Sequence, residues 1–132
     1  MARWNAVFGY ILLTQKRKPR FVILEHDWPF LHWDLMLEES GRLLTWRILE
    51  EPELDKPLTV SSSPDHRVEY LDYVGPIGSD RGSVSKWDTG VINSLNSSKE
   101  GLLAEINSDR FGALITIHMN NGSLVLKNNF QQ

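Results

Sequence analysis

The 132-residue chain contains no cysteine, which excludes a disulfide framework, a thiolate zinc site and a cysteine nucleophile. A cytoplasmic location is the expectation. Long apolar runs are also missing. Met1 to Leu13 is interrupted by Arg3, Asn5, Gly9 and Tyr10 and has neither the apolar stretch nor the small-residue cleavage site of a secretory signal. Nowhere does the chain reach the roughly 20 consecutive apolar residues of a membrane helix, so no membrane partner is expected. Positive charge is in short supply too. A net charge of −3 argues against a protein that holds nucleic acid by charge alone, because such domains are usually basic overall. Lys16, Arg17, Lys18 and Arg20 form one local exception. A solvated turn between strands accounts for that cluster, and a phosphate-backbone contact beside an active site is the sharper alternative.

What is present suits one domain with one core, spanning residues 1–132. Ala6 to Thr14 and Phe21 to Glu25 are rich in β-branched and aromatic residues, as strands are. Leu31 to Leu37 and Leu43 to Leu49 flank Glu38-Glu39-Ser40-Gly41, a hairpin pattern. Pro52 to Pro57 and Ser61 to Pro64 read as loops, and the second leads into an extended segment from His66 to Tyr73. Pro76 to Gly82 is a turn-rich loop before two short strands, Ser83 to Trp87 and Gly90 to Ile92. A helix is predicted from about Ser97, where Ser97 and Glu100 have capping-box spacing and Leu102, Leu103 and Ile106 supply an apolar face. Phe111 to Met119 and Ser123 to Lys127 are strands joined by a tight turn at Asn121-Gly122. Many strands and one helix predict a mainly β fold, a small antiparallel β-barrel with one short helix.

The chemistry concentrates between Glu25 and Asp34. Alternation along a strand puts His32, Asp34 and Met36 on one face and Trp33, Leu35 and Leu37 on the other. The second set is a packing face. The first places an imidazole and a carboxylate one pleat apart. His26 lies six residues before His32 across Asp27-Trp28-Pro29-Phe30, and a bend there returns it over the same face. Two histidines and a carboxylate suit manganese or zinc and leave positions open for water or substrate. The spacing suits equally one exposed and one hydrogen-bonded ring. Downstream, His66 and Tyr70 fall on one side of an extended segment, where both could donate to an oxyanion; a surface histidine and a packed tyrosine are the plainer reading. His118 shares a strand face with Leu114 and Thr116 and reads as structural or exposed.

Several motifs in order resemble a known family. Glu25-His26-Asp27, then Leu31-His32-Trp33-Asp34-Leu35-Met36-Leu37-Glu38, are similar to the opening of the 3′-phosphoesterase domain of bacterial DNA ligase D. The similarity continues through Gly41-Arg42-Leu43-Leu44-Thr45-Trp46, Asp65-His66-Arg67-Val68-Glu69-Tyr70-Leu71-Asp72-Tyr73-Val74-Gly75, Gly82-Ser83-Val84 and Trp87-Asp88-Thr89-Gly90. The resemblance implies a compact β-barrel that uses a manganese-type ion to remove a 3′-terminal ribonucleoside and then a 3′-phosphate from a primer strand. By position it implies metal ligation by His26, His32 and Asp34, and phosphate binding and catalysis by His66 and Tyr70. Nucleic-acid 3′ ends are the implied partner. A separate ligase or polymerase would supply the modules that accompany this domain in ligase D.

Three positions depart from the family pattern. Met36 stands where the family carries a phosphate-gripping arginine, and a thioether cannot make a charged bidentate contact. Leu24 and Pro64 stand where the family has a polar and an acidic residue. Arg47, Arg67 and Arg81 are the candidates to replace the missing cation. A catalytically weakened protein that binds metal or nucleic-acid ends and recruits separate repair proteins is the alternative reading.

Overall fold

A computed structural model describes residues 17–99 and 101–129. The strand expected at Ala6 to Thr14 lies outside them. Nine strands follow in order: β1 Arg20–His26, β2 His32–Glu39, β3 Arg42–Ile48, β4 Leu58–Arg67, β5 Gly75–Pro76, β6 Ser83–Ser97, β7 Gly101–Ser108, β8 Gly112–Asn120 and β9 Ser123–Asn128. They form a single sheet in the order β1-β2-β3-β4-β9-β8-β7-β6-β5, and β1 also pairs with β6. Every neighbouring pair is antiparallel, so the sheet closes in a ring with β5 attached outside the circuit. The expected mainly β architecture holds, with 65% of the described residues in strands and 4% helical.

Two apolar clusters flank the ring wall. Phe21, Ile23, Trp33, Leu35 and Leu37 from β1 and β2 meet Ile48, Ile92, Ile106, Ile117 and Leu124 from the other strands in the interior. On the opposite side of β1 and β2 lie Val22, Leu24 and Met36, packed with Leu43, Leu71 and Val84. This double burial explains why β1 and β2 read as almost continuous apolar runs rather than as clean alternations. A single turn of 3-10 helix, Val68–Leu71, and the chain after it cover the outer cluster. Each fully buried aliphatic side chain there contributes roughly 1.5–3 kcal/mol. That is enough to pin a segment whose own ladder, β5 on β6, has only two residue pairs.

The predicted helix near Ser97 is not formed. The chain turns at 98–101, where the Ser98 and Gly101 backbones exchange hydrogen bonds of 2.8 and 3.3 Å, and returns as β7. Leu102, Ala104 and Ile106 are buried while Leu103 is exposed, the two-residue period of a strand. Gly101 is required by proximity: a Cβ there would lie 2.1 Å from the Met119 carbonyl oxygen on β8. Ser61 to Pro64, expected as a loop, runs within β4. The two short strands expected after Gly82 are one long strand, β6. The segment after His66 folds into the 3-10 turn instead of staying extended. The strands predicted around Phe21, Leu31, Leu43, Phe111 and Ser123 are all present.

The basic cluster is drawn onto the protein's own polar groups. Arg17 makes a two-pronged contact with Glu38 at 2.8 and 3.1 Å, and Arg20 pairs with Asp72 at 2.7 Å. Lys18 donates to Asn93. The hydrogen bond from Arg17 holds the Glu38 carboxyl below the usual carboxylate range. Lys16 lies outside the described residues. Among the described residues no helix is long and apolar enough to cross a membrane.

Candidate metal centre

The register of the β1–β2 hairpin sets His26 opposite His32 and Leu24 opposite Asp34. All four therefore belong to the outer face of the wall, at the open end of the outer apolar cluster. The connecting loop, residues 27–31, is anchored from β6. Asp27 Oδ1 accepts a 2.9 Å hydrogen bond from the Ser83 amide. Gly82 lies against this anchor with φ +69°, and a Cβ there would come within 2.2 Å of Asp27 Oδ1 and 2.7 Å of Trp28 Cβ.

His26 Nδ1 lies 3.6 Å and His32 Nε2 3.2 Å from the same Asp34 oxygen, Oδ2. The second nitrogen of each ring faces a backbone carbonyl. His32 Nδ1 is 2.9 Å from the Phe30 oxygen and His26 Nε2 is 2.8 Å from the Arg81 oxygen. A carbonyl only accepts, so each of those nitrogens carries the proton. In the neutral rings the remaining lone pairs, His26 Nδ1 and His32 Nε2, then point at Asp34. Backbone carbonyls that fix the tautomer of a metal-binding histidine are a recurrent feature of protein metal sites.

Two imidazole lone pairs and a carboxylate converging on one point repel one another unless a proton or a cation lies among them. Their environment sharpens the repulsion: the His32 side chain is fully buried, and those of Asp34 and His26 are 9% and 13% exposed. The three ligand atoms lie within 4.8 Å of one another. Ligands bonded at about 2.0–2.2 Å to one ion are roughly 3–3.6 Å apart, so the set could close on an ion with small side-chain movements. The donor set of nitrogen, nitrogen and oxygen fits manganese or zinc.

His66 and Tyr70 form a second pair on the outer face. Their rings meet edge to face at 5.3 Å, across the junction of β4 with the 3-10 turn. His66 Nδ1 lies 2.9 Å from the Pro64 carbonyl and 3.1 Å from Thr45 Oγ1, which leaves Nε2 available. Thr45 is the cross-strand partner of Met36, and Met36 lies two residues beyond Asp34. The two groups therefore share a face, although among the described residues no hydrogen bond joins them. Met36 is 2% exposed within the outer cluster, so position 36 presents no polar group. Leu24 is fully buried in the same cluster. His118 is exposed on β8, as expected.

The carbonyls of Phe30 and Arg81 escaped sequence reasoning, because a backbone oxygen supplied by a loop carries no residue signature. The placement of Arg47 was open to it. Counting back from the Ser40-Gly41 turn pairs Arg47 with Asp34, as the structure does.

Known proteins share much of this sequence. Residues 24–126 match the family described as the DNA Ligase D 3'-phosphoesterase domain. The chain is 36% identical over 89 residues, 63% of its length, to the multifunctional non-homologous end joining protein LigD of Pseudomonas aeruginosa. It is 33% identical over 108 residues, 75% of its length, to the protein of the same name from Mycolicibacterium smegmatis. The matched regions are only 10% and 14% of those proteins.

Proposed function

Because the chain belongs to the DNA ligase D 3′-phosphoesterase domain family, we propose that it is a divalent-metal-dependent phosphoesterase acting on nucleic-acid 3′ ends in DNA repair. The observation that carries this reading is the convergence of His26 Nδ1 and His32 Nε2 on Asp34 Oδ2, with both tautomers set by backbone carbonyls. Manganese is the preferred ion and zinc the alternative. A bound ion there would neutralise phosphate charge and make water a better nucleophile at neutral pH.

The chain's own groups do the rest. His26, His32 and Asp34 orient their lone pairs toward one point, and the burial of His32 and Asp34 limits competing water. His66, held through Nδ1, and Tyr70, whose hydroxyl has no hydrogen-bond partner among the described residues, would donate to phosphate oxygens as negative charge builds up. Around the site Trp28, Phe30 and Leu31 are 43%, 51% and 50% exposed. Exposed rings beside a phosphate site suit a nucleobase, which stacks on aromatic faces for about 1–3 kcal/mol. A bare small phosphate ester would gain nothing from them.

The test is incubation with manganese and a primer–template ending in a 3′-phosphate or a single ribonucleotide. Trimming is expected from the parent, with a loss of at least a hundredfold in His32→Ala. No trimming, or equal trimming by both, would sink the proposal. A second reading is favoured by the buried Met36: a weakened protein that binds metal-loaded 3′ ends without turnover and recruits a separate ligase or polymerase. It predicts tight, manganese-dependent retention of 3′-phosphate ends with no product.

A further inference from the structure

We propose that Arg47 is the phosphate-binding cation of this site, held over Phe30 and replacing from the neighbouring strand the charge that position 36 does not provide. The inference rests on the phosphoesterase reading above and names the residue that recognises the phosphate.

Arg47 lies on β3 directly opposite Asp34. Cross-strand partners have Cα atoms about 4.5–5.5 Å apart and direct their side chains to the same face. Arg47 therefore rises beside the candidate ligands. Its guanidinium carbon lies 5.6 Å from the centre of the Phe30 ring. Phe30 in turn meets the His32 ring edge to face at 5.6 Å, and its carbonyl accepts the His32 Nδ1 proton. One loop residue thus holds both a candidate ligand and the cation.

Four other arginines are engaged elsewhere. Arg17, Arg20 and Arg42 pair with Glu38, Asp72 and Asp65. Arg110 lies over Trp87 at 3.8 Å and donates to the Trp87 carbonyl. Arg67 and Arg81, like Arg47, have no carboxylate partner among the described residues. Of these three, Arg47 alone has a register position opposite Asp34 and a ring contact at the site; Arg67 is opposite Arg42, and Arg81 meets His26 through its backbone oxygen. A partly buried guanidinium within cation–π reach of a ring, and with no carboxylate partner among the described residues, has its planar edge to offer to a ligand. That edge can make two parallel hydrogen bonds to a phosphate, a geometry that favours the dianion of a terminal phosphate over a hydroxyl end.

The experiment measures manganese-dependent binding of a fluorescent oligonucleotide ending in 3′-phosphate against the same strand ending in 3′-hydroxyl, under conditions without turnover. Manganese affinity is read separately by electron paramagnetic resonance. The parent should prefer the phosphate end. Arg47→Ala should lose that preference by roughly tenfold or more, the worth of a charge-assisted pair, with manganese affinity unchanged. Arg47→Lys should restore part of it, and Arg110→Ala should behave as the parent. Full preference in Arg47→Ala, or its loss in Arg81→Ala instead, overturns the assignment while leaving the phosphoesterase reading standing. A parent that binds manganese but shows no preference for phosphate ends overturns both.

Discussion

Asp34 and its two imidazoles are held in an arrangement that a cation or a shared proton relieves. The carbonyls of Phe30 and Arg81 prevent either ring from turning its protonated nitrogen inward. Replacing the carboxylate by an amide of the same shape supplies an N–H that can donate to one lone pair. In the presence of a chelator, Asp34→Asn is therefore expected to match the parent or exceed it by up to about 1 kcal/mol. The same variant should no longer respond to manganese, whereas the parent should gain about 2.7 kcal/mol at a hundredfold excess over its dissociation constant. Thermal melts with and without metal measure both. A loss of several kcal/mol in the chelated variant would mean that a proton already bridges the carboxylate and a ring, and would remove the electrostatic case for a metal. The residue types of this site were legible from spacing and resemblance. Their tautomers were not, since these depend on loop carbonyls.

At the scale of elements, β6 and the turn between β7 and β8 are joined by a buried carboxylate. Asp88 accepts from the Thr89 and Arg110 amides through Oδ1 and from the Ser108 hydroxyl through Oδ2, while Ser108 Oγ accepts from the Phe111 amide. Burial pushes the Asp88 carboxyl up despite those donors. A raised folded-state value means that, above the ordinary aspartate value, the folded state holds a proton that the unfolded chain has released. Stability at Asp88 therefore falls as pH rises from the ordinary value through the raised one, opposite to the usual carboxylate. Urea titrations across this range should show the decline in the parent and a flatter profile in Asp88→Asn. An unchanged slope would refute the assignment. The same region shows why the helix reading failed. Ser97 and Glu100 have capping-box spacing, but Leu102, Ala104 and Ile106 alternate, and the close approach of β8 at Gly101 favours a strand. Local capping worth about 1 kcal/mol is outweighed by burial of three apolar side chains in the ring.

Across the whole molecule the ring is unequal. β1 is paired along its length with both β2 and β6, whereas β4 meets β9 at only two residue pairs, Leu58 with Leu124 and Thr59 with Ser123. One further backbone hydrogen bond, Val60 to Gly122 at 2.9 Å, supports that seam. Local opening follows the weakest pairing, so amide hydrogens at Val60 and Leu124 should exchange faster than those at Ile23 and Leu35. Manganese should slow exchange around residues 26–34 and leave the seam unaffected, because the candidate ligands lie on β1 and β2. Equal protection at seam and wall would contradict this account. The sequence by itself determined the mainly β class, the β2–β3 hairpin and the candidate ligand set, because two-residue alternation, turn residues and ordered motifs are local properties. Only the tertiary structure decided that β1 and β2 are buried on both faces, that the ligands open on the outer one, and that the Phe30 ring comes up to Arg47. Those features depend on ring closure and strand register, which bring together residues that no local pattern connects.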